Sequence, residues 1–444
     1  MIEDLYTAAV SLAGVLLPAL SIGQGKLARG IRGRRGAVER LEAWAAGSRN
    51  RSRPLAWFHA PSVGEGLQAR AVIETLRELE PEMQIVYTWF SPSAESFART
   101  IPADVADYLP LDLPGLVRRL FDALQPDVIA FTKTEIWPNI TREAERRGVP
   151  VVLLSATLPA ASSRLRGPAR ALLTPSHQRL SRVAAISAAD GGRFEALGVP
   201  PDRITVMGDA RFDQVWRRVK QPLSDPALIE LLTGSLKAPG DTTLVAGSTW
   251  PEDEERLIPA LAALNDPCIR LVIAPHEPTE AYLTGLSGRL RAAGLSFAFL
   301  GDEAGVLARP RVVVVDRTGV LGDLYRLADI AYVGGGFGHD GLHSVLEPAA
   351  FGAPVIFGPN HDNSREAGEL VLEEGARSVR DQKELEKLLT EWTRAPETRA
   401  EAGRTAGRYV EVGLGAARRG ARVLADIAGD HRSPLRVPNT SMPM

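Results

Sequence analysis

Glycines, a histidine and a carboxylate follow an apolar segment in the second half of the chain. Residues 332–360 read YVGGGFGHDGLHSVLEPAAFGAPVIFGPN, and the glycines at 334–336 come directly after a predicted strand at 330–333. Glycines at the carboxyl end of a strand let a ligand approach the backbone, and a following helix presents unpaired N–H groups to an anion. A helix predicted from about His343 carries Glu347, whose carboxylate can reach a ribose hydroxyl. The pattern favours a nucleotide site over an ordinary turn with a packing glycine.

A second carboxylate stands at the start of another predicted helix. Residues 59–66 read HAPSVGEG and follow a predicted strand. Gly64 and Gly66 predict a tight turn that leaves Glu65 at the helix start, at the carboxyl edge of a sheet. A carboxylate placed there can act as the general base for an acceptor hydroxyl. The alternative is that Glu65 only complements the helix dipole.

Two cationic residues are candidates for binding an anion. Lys133 begins the segment KTEIWPN between a strand and a helix, and it is one of only six lysines among 52 basic residues. It can compensate an anionic ligand, or it can pair with Glu135 and only shape the loop. Arg211, in GDARFD, offers a fork of donors that matches phosphate or carboxylate. The alternative role of Arg211 is a surface ion pair with Asp209 or Asp213.

Further polar motifs lie in the second half. His276 follows a strand in the segment APHEP and can contact a base or phosphate, although a lone histidine is equally often structural. The segment GSTWPE, at 247–252, begins a helix and is otherwise explained as a helix cap. The segment 322–324, GDL, opens a helix on the same side.

Strands and helices alternate along the chain and position these motifs. Near-continuous apolar strands separated by amphipathic helices predict parallel sheets covered on both faces. The alternation stops around 211–225 and then restarts, which indicates a hinge between two Rossmann-like domains. Strands are predicted at residues 55–59, 84–90, 127–131, 149–155, 182–187, 243–246, 270–274, 311–315, 330–333 and 354–357.

Two such domains direct the carboxyl ends of their strands towards one cleft, where ligands bind in these sheets. The predicted fold class is therefore α/β, with the two-domain layout of the GT-B glycosyltransferases. Nucleotide epimerases share this layout, so the fold alone does not decide the chemistry.

The N-terminus has the pattern of a membrane anchor. Residues 5–22 carry no charge, and six basic residues between Lys26 and Arg40 follow them against one acid, Glu39. Eighteen such residues are just enough for a spanning helix, and the basic flank predicts that the rest of the chain is cytoplasmic. The expectation is a single N-terminal membrane anchor. A signal peptide and an interfacial helix are the alternatives.

The composition of the chain limits which partners and cofactors are expected. The chain has 444 residues, 24% of them charged, and a formal net charge of −2, so nucleic acid is not expected as a partner. The single cysteine excludes a disulfide framework and a cysteine-based metal site. The chain has no Asp-x-Asp pair of the kind that holds a diphosphate through a metal ion, and neither a metal nor another cofactor is expected.

The predicted divisions are an anchor at 1–25, a basic linker at 26–54, an acceptor domain at 55–215, a nucleotide-sugar domain at 216–428 and a flexible tail at 429–444.

Read together, the motifs resemble one enzyme family over nearly the whole chain, from the N-terminal anchor to about Gly375. In order, they are SVGE, TEIWPN, GSTWPEDEE, GDLYRLADIAYVGGGF and HSVLEPAAFGAPVIFGPN. The chain resembles the 3-deoxy-D-manno-octulosonic acid (Kdo) transferases of lipopolysaccharide assembly. Several independent motifs in the same order are far more specific than a lone glycine motif.

The resemblance implies transfer of Kdo, with inversion, from CMP-Kdo to the glucosamine disaccharide of a lipid A precursor, at the cytoplasmic face of the inner membrane. Glu65 falls on the family's catalytic base, and Lys133 and Arg211 fall on positions assigned to transition-state stabilisation. The positions that fall on its CMP-binding segments are Pro275, His276, Gly322, Asp323, Leu324, Ser344, Val345, Leu346 and Glu347.

The chain departs from the commoner family pattern at four places. The family usually has Glu at Lys133, Lys at Arg211, Arg-His at 276–277 and Asn at Ser344. The charge reversal at Lys133 is incompatible with an identical role and indicates a divergent branch. Two other functions stay open: a GT-B enzyme that uses a UDP-sugar, as a transferase or an epimerase, and a catalytically inactive homologue that binds lipid or sugar.

Overall fold

The computed structural model describes residues 2–16, 23, 25–223, 225–264 and 266–432, which form two compact units. The first unit comprises the described residues up to 214 together with 414–432, and the second comprises 215–413. Helix α10, Ala210–Lys220, spans the boundary between the two units.

The first unit is built from alternating strands and helices. Its strands are β1 Leu55–His59, β2 Gln84–Trp89, β3 Val105–Tyr108, β4 Val128–Thr132, β5 Val151–Ala156, β6 Arg182–Ala185 and β7 Ile204–Val206. Its helices are α1 Ile2–Leu16, α2 Lys26–Arg34, α3 Ala37–Ser48, α4 Val63–Leu79, α5 Glu95–Ala98, α6 Pro114–Leu124, α7 Pro138–Arg147, α8 Gly167–Gln178, α9 Ala188–Ala196 and, from the end of the chain, α20 Ala416–Arg432.

The seven strands form one parallel sheet in the order β3-β2-β1-β4-β5-β6-β7. Strand β1 is central, with Leu55 opposite Gln84 of β2 and Ala56 opposite Val128 of β4. Every residue of β1, β2, β4 and β5 is buried, as expected for a parallel sheet covered on both faces. The strand order reverses between β1 and β4, and the carboxyl ends of such a pair form the usual ligand crevice.

The second unit repeats this architecture. Its strands are β8 Thr242–Thr249, β9 Ile269–Pro275, β10 Phe297–Phe299, β11 Val312–Val314, β12 Ile330–Val333, β13 Val355–Phe357 and β14 Ala376–Ser378. Its helices are α11 Pro226–Leu236, α12 Pro251–Leu264, α13 Glu280–Ala292, α14 Glu303–Leu307, α15 Leu321–Leu324, α16 Leu346–Ala350, α17 Arg365–Leu372, α18 Gln382–Arg394 and α19 Pro396–Val412. The seven strands are again parallel, in the order β10-β11-β9-β8-β12-β13-β14, and the order reverses between β8 and β12.

The predicted α/β class with two Rossmann-like units is confirmed. All ten predicted strands are present, and β1 and β12 have the predicted bounds. The sequence missed β3, β7, β10 and β14, each three or four residues long and each at the edge of its sheet. Such short strands carry too few residues for an apolar pattern to stand out.

The C-terminal helix lies in the first unit, whereas the predicted division had placed residues 216–428 in the second domain. Ala417, Ala421 and Leu424 of α20 belong to the buried core that contains Val72 and Ile73 of α4. The apolar pattern of α20 predicts a buried face, but it does not indicate which of the two sheets that face covers. Residues 429–432 of the predicted tail are the end of α20, and 433–444 lie outside the described residues.

The N-terminal helix α1 covers only part of the predicted anchor, because residues 17–22 lie outside the described residues. Within the described ranges, no helix has both the length and the apolar character needed to cross a bilayer. Helix α1 contacts the rest of the first unit through polar groups: the Tyr6 hydroxyl donates to Asp112 at 2.9 Å, and the Thr7 hydroxyl donates to Asn139 at 2.8 Å. Glu3 pairs with Arg179.

Candidate functional site

Glu65 lies in the first turn of α4, directly after the carboxyl end of β1. Ser62 is the extended residue before the helix, and α4 begins at Val63. The prediction of a tight turn made by Gly64 and Gly66 is wrong, because both residues lie within the helix. Gly66 is required by packing instead, since a Cβ there would lie 2.5 Å from the Phe97 ring and 2.8 Å from the Tyr87 hydroxyl.

Two neighbours hold the Glu65 carboxylate in its charged form. The Ser62 hydroxyl donates to one carboxylate oxygen, and Lys133 Nζ lies 3.2 Å from the other. Burial raises the pKa of Glu65, but the hydrogen bond from Ser62 and the charge of Lys133 outweigh burial, and the pKa lies below its ordinary value. The carboxylate is therefore ionised at neutral pH and able to accept a proton.

Lys133 reaches Glu65 from an unusual backbone conformation. It follows β4 with a φ of +68°, in the left-handed region that non-glycine residues seldom occupy. Its N–H donates to the carbonyl of Leu154 at 2.8 Å, which anchors the turn. The alternative pairing of Lys133 with Glu135 is wrong, because the Glu135 carboxylate lies near His59 instead, at 3.8 Å. A backbone conformation of this kind costs about 1–3 kcal/mol and is typical of functional sites.

A buried histidine supports the loop on which Glu135 and Trp137 lie, and the sequence did not reveal it. Trp137 Nε1 donates to His59 Nε2 at 3.3 Å, which leaves the other ring nitrogen, Nδ1, for a different partner. That nitrogen lies 3.1 Å from the hydroxyl of Thr88, which donates in turn to the carbonyl of Phe58. His59 thus connects β1, β2 and the residue that precedes α7. Its place at the end of a fully buried strand was the available signal.

Arg211 forms the pair that the sequence offered as its alternative role. Its guanidinium contacts the Asp209 carboxylate through Nε at 2.9 Å and Nη2 at 2.7 Å, and the Asp209 side chain is buried. The Arg211 backbone N–H donates to the same carboxylate at 2.9 Å. The arginine thereby stabilises the start of α10.

The glycines of the second unit are required by close packing between strand ends. A Cβ on Gly334 would lie 2.2 Å from the carbonyl oxygen of Ser248, and one on Gly336 would lie 2.6 Å from the backbone N of Gly358. The buried Asp253 carboxylate accepts from the N–H of Gly335, the N–H of Trp250 and the hydroxyl of Tyr332. Asp253 therefore ties the end of β8 to the glycine loop after β12.

Three aromatic rings meet beside this loop. The ring of His276 stacks on Trp250 with a centroid distance of 4.8 Å and lies 4.6 Å from the ring of His343. Trp250 Nε1 donates to His343 Nε2 at 3.2 Å. Burial and the neighbouring His276 lower the pKa of His343, so this imidazole is neutral at neutral pH. The cluster offers exposed ring surface to a planar ligand at His276.

Arg218 lies near two of the predicted nucleotide-binding positions. A Cβ on Gly322 would lie 2.7 Å from Arg218 Nε, and Arg218 Nη2 is 3.8 Å from the buried Asp323 carboxylate. Burial raises the pKa of Glu347, and the charge of Arg218 partly opposes that rise. The sequence did not single out Arg218 as a member of this group.

The predicted CMP-binding positions differ in what they offer to a ligand. His276 and Ser344 are exposed, whereas the side chains of Pro275, Leu324, Val345 and Leu346 are buried, which leaves only their backbone groups for a ligand. The prediction of a helix from about His343 is wrong, because α16 begins at Leu346 and is five residues long. His343 is held in the preceding loop by its N–H, which donates to the carbonyl of Gly334.

The two crevices differ in the chemistry that they offer. The first provides an ionised carboxylate for proton transfer, and the second provides backbone groups, rings and a carboxyl group that suit a nucleotide. Among the described residues, no cluster of histidine, cysteine and acidic side chains is arranged to hold a metal ion.

The sequence is similar to one enzyme family over most of its length. The model of the family described as 3-deoxy-D-manno-octulosonic-acid transferase (kdotransferase) matches residues 32–214. A 3-deoxy-D-manno-octulosonic acid transferase of Chlamydophila psittaci is 30% identical over 356 residues, which cover 78% of this chain and 79% of the relative. One of Bordetella pertussis is 30% identical over 338 residues, which cover 73% and 76%.

Solved structures share the fold at much lower identity. A UDP-GlcNAc 2-epimerase from Neisseria meningitidis, bound to UDP-GlcNAc, has a TM-score of 0.58 at 14% identity and covers 85% of this chain and 99% of that one. A glycosyltransferase from Rickettsia africae has a TM-score of 0.56 at 11% identity, with 85% and 98% covered. These likenesses confirm the predicted GT-B class of fold.

Proposed function

Because this chain belongs to the family of Kdo transferases, and is thus a glycosyltransferase, we propose that it transfers Kdo from CMP-Kdo to a lipid A precursor. The acceptor is the glucosamine disaccharide of that precursor, and the reaction belongs to the assembly of the lipopolysaccharide core. The observation that carries this proposal is the ionised Glu65 carboxylate at the first crevice, held by Ser62 and Lys133.

Glu65 acts as the general base of the transfer. Its carboxylate takes the proton of the acceptor hydroxyl while the hydroxyl oxygen attacks the anomeric carbon of Kdo. The bond from that carbon to the CMP phosphate oxygen breaks, and CMP leaves with the bonding electrons. Attack opposite to the departing phosphate inverts the anomeric centre. General-base catalysis of this kind contributes about 10²–10⁴-fold to the rate.

Lys133 positions the Glu65 carboxylate. It also compensates the negative charge of the donor. Its ammonium keeps the base ionised, and 44% of its side chain is exposed, so it is accessible to the carboxylate of Kdo or the CMP phosphate. This double role is consistent with a lysine where the family usually has glutamate. Arg211, which is held by Asp209, contributes positive charge at the start of α10.

The second unit binds CMP. The Glu347 carboxyl group accepts a hydrogen bond from a ribose hydroxyl, and the exposed His276 ring, stacked on Trp250, packs against the base or contacts the phosphate. Backbone groups of 322–324 and 344–346 complete the site. The tight packing of Gly334 and Gly336 supports this role, because it holds the loop in one conformation before the nucleotide arrives.

We also propose that the enzyme works at the cytoplasmic face of the inner membrane through its N-terminus. Helix α1 uses its polar groups to contact the first unit and leaves Leu5, Leu12 and Val15 exposed. Deleting residues 1–25 should move the protein from the membrane to the soluble fraction, while the protein still glycosylates a detergent-dispersed acceptor. A truncated protein that stays bound to membranes at high salt would contradict this attachment.

One reaction tests the activity directly. Purified protein is incubated with CMP-Kdo generated in situ and a tetra-acylated lipid A precursor, and mass spectrometry should show the mass added by Kdo. CMP, and not UDP, should raise the melting temperature. Stabilisation by UDP with transfer from a UDP-sugar would replace the proposal with the alternative enzyme. Binding of donor and acceptor without transfer would indicate an inactive homologue.

A further inference from the structure

An apolar pocket of about 310 Å³ lies in the first unit, within the size range of small-ligand sites. It is formed by α1, α2, α3, the loop after β2 and the segment that leads into α6. Its apolar lining consists of Leu27, Ile31, Val38, Phe90, Pro110, Leu111 and Leu116. No part of the predicted donor or base site accounts for this pocket.

The helices around the pocket expose apolar side chains. Leu5, Leu12 and Val15 of α1 are 66%, 62% and 76% exposed, and Leu27 of α2, which lines the pocket, is 62% exposed. These four are half of the eight large apolar side chains that are strongly exposed in the described chain. Leu5, Leu12 and Val15 are seven and three residues apart and so lie on one side of α1, and an exposed apolar helix face marks an interaction surface. Because Glu3, Tyr6 and Thr7 of α1 contact the rest of the first unit, the exposed face of this helix favours an apolar partner.

The pocket also carries positive charge. Arg34 and Arg35 line it, and Arg34 lies over the Phe90 ring at 3.7 Å and donates to the Phe90 carbonyl. Burial lowers the pKa of Arg34 to about 10, which leaves it charged at neutral pH. The one acid in the lining, Glu39, pairs with Arg119. An apolar cavity with two guanidinium groups is complementary to a chain that ends in an anionic headgroup.

The pocket shares a wall with the segment that leads into α4, the helix that carries the candidate base. The Phe90 N–H donates to the carbonyl of Pro61 at 3.3 Å, four residues before Glu65. The Phe90 ring also packs on Trp137 at 5.4 Å, in the loop after Lys133. A lipid seated in the pocket would therefore lie beside the segment that precedes Glu65 and the segment that follows Lys133.

We propose that this pocket binds one acyl chain of the acceptor lipid, with Arg34 and Arg35 on the anionic headgroup. The proposal rests on the proposed function, since that function supplies an anionic, acylated acceptor. Charge complementarity favours an anionic lipid over the uncharged residues 17–22 of this chain and over a second copy, and the Phe90 contact with the segment before Glu65 favours the acceptor over a bulk phospholipid. The pocket would select acylated acceptors and align the disaccharide with Glu65.

Labelling tests the site without relying on transfer. Full-length protein is illuminated with a C14 fatty acid that carries a diazirine at its terminal carbon, in detergent below its micelle concentration, and the labelled peptides are identified by mass spectrometry. We expect label in residues 27–38 and 110–116, displaced by the tetra-acylated acceptor at lower concentration than by phosphatidylglycerol. Label spread over other surfaces, or displaced better by phosphatidylglycerol, overturns the assignment.

A charge introduced at the pocket sharpens the test. Leu27→Asp should lower labelling and should lower the ratio of kcat/KM for the acylated over the deacylated acceptor by about tenfold, the loss expected when roughly two methylene groups return to water. Leu307→Asp is the matched control, because Leu307 is 61% exposed, nearly as Leu27 is, and lies in the second unit. An equal change for both acceptors, or in the control, overturns the proposal.

Two further outcomes separate the possible occupants and the two proposals. If replacement of residues 17–22 by glycine and serine strongly increases labelling, that segment fills the pocket and the acyl-chain proposal fails. Labelling that follows the expected pattern without any transfer would refute the proposed function and leave the lipid site standing. Transfer without labelling at the pocket would refute the lipid site and leave the proposed function standing.

Discussion

The first unit carries its functional groups at the carboxyl ends of β1 and β4, and the second unit does so at the ends of β8 and β12. These positions are topologically equivalent, because each is where the strand order reverses. The first holds a charged pair, Glu65 with Lys133, on a strained backbone. The second holds glycines in close backbone contact, a buried Asp253 and stacked rings.

The difference follows from the chemistry assigned to each crevice. A group that exchanges a proton must be charged, reachable and tuned by its neighbours, as Glu65 is. A nucleotide site gains more from backbone N–H groups and ring surfaces that do not move, because a pre-organised site loses less entropy on binding. We therefore expect substitutions in the first crevice to change rate and pH dependence, and those in the second to change folding and affinity.

Glu65→Gln should have the largest effect, a fall in turnover of about 10²–10⁴-fold with CMP affinity and melting temperature unchanged. The amide keeps the size of the carboxylate and cannot accept the proton. Glu74→Gln, on the same helix in a half-buried pair with Arg70, is the control. Steady-state kinetics and calorimetry measure both. If the Glu65→Gln variant keeps more than about a third of the wild-type turnover, Glu65 is not the base.

Gly334→Ala should destabilise the second unit by about 3 kcal/mol, because its methyl group would meet the Ser248 carbonyl 2.2 Å away. Gly64→Ala, in the first crevice, meets only the Ser62 hydroxyl at 3.9 Å and should leave stability unchanged or slightly raised. Urea unfolding measures the contrast. Equal stability of the two variants would refute the claim that rigid packing distinguishes the second crevice.

Glu347→Ala should weaken CMP binding by about 10–100-fold, the loss expected for a hydrogen bond to a charged or strongly polar group. The folded state should tolerate the change, since a carboxyl group whose pKa is raised by burial gains little from its surroundings. Calorimetric titration with CMP is the measurement, with Glu303→Ala on the exposed surface of the same unit as control. Unchanged affinity would remove Glu347 from the nucleotide site.

Lys133→Met should lower turnover by about fivefold, because the partly exposed ion pair is worth roughly 1 kcal/mol or less. Without the ammonium, the pKa of Glu65 rises, and the acid limb of the pH–rate profile moves to higher pH. The pair stabilises the fold above the unfolded pKa of Glu, about 4.3, and that contribution is lost as pH falls through the lower folded pKa.

Lys133→Glu, which introduces the commoner family residue, should damage activity further, because two carboxylates would then repel each other. A melting temperature that falls in the Met variant while turnover per folded molecule stays normal would make Lys133 structural. Both quantities are measured on the same preparation.

The sequence by itself determined the sheets and the order of their motifs. Buried parallel strands such as β1 and β12 are continuous apolar runs, and a strand end followed by glycine, proline or a polar residue marks the edge where ligands bind. For that reason Glu65, Lys133 and Glu347 could be named as candidates without coordinates. The short strands β3, β7, β10 and β14 could not be found in the same way.

Only the tertiary structure decided which of these residues meet. Lys133 and Glu135 are neighbours in sequence, yet the positive φ of Lys133 directs its ammonium to Glu65, 68 positions away. The same holds for Trp250, His276 and His343, and for α20, which packs on α4 from the far end of the chain. Local pattern reports burial and periodicity, whereas pairings between distant segments depend on how the strands are ordered and where each turn points. These pairings are therefore determined only in the folded chain.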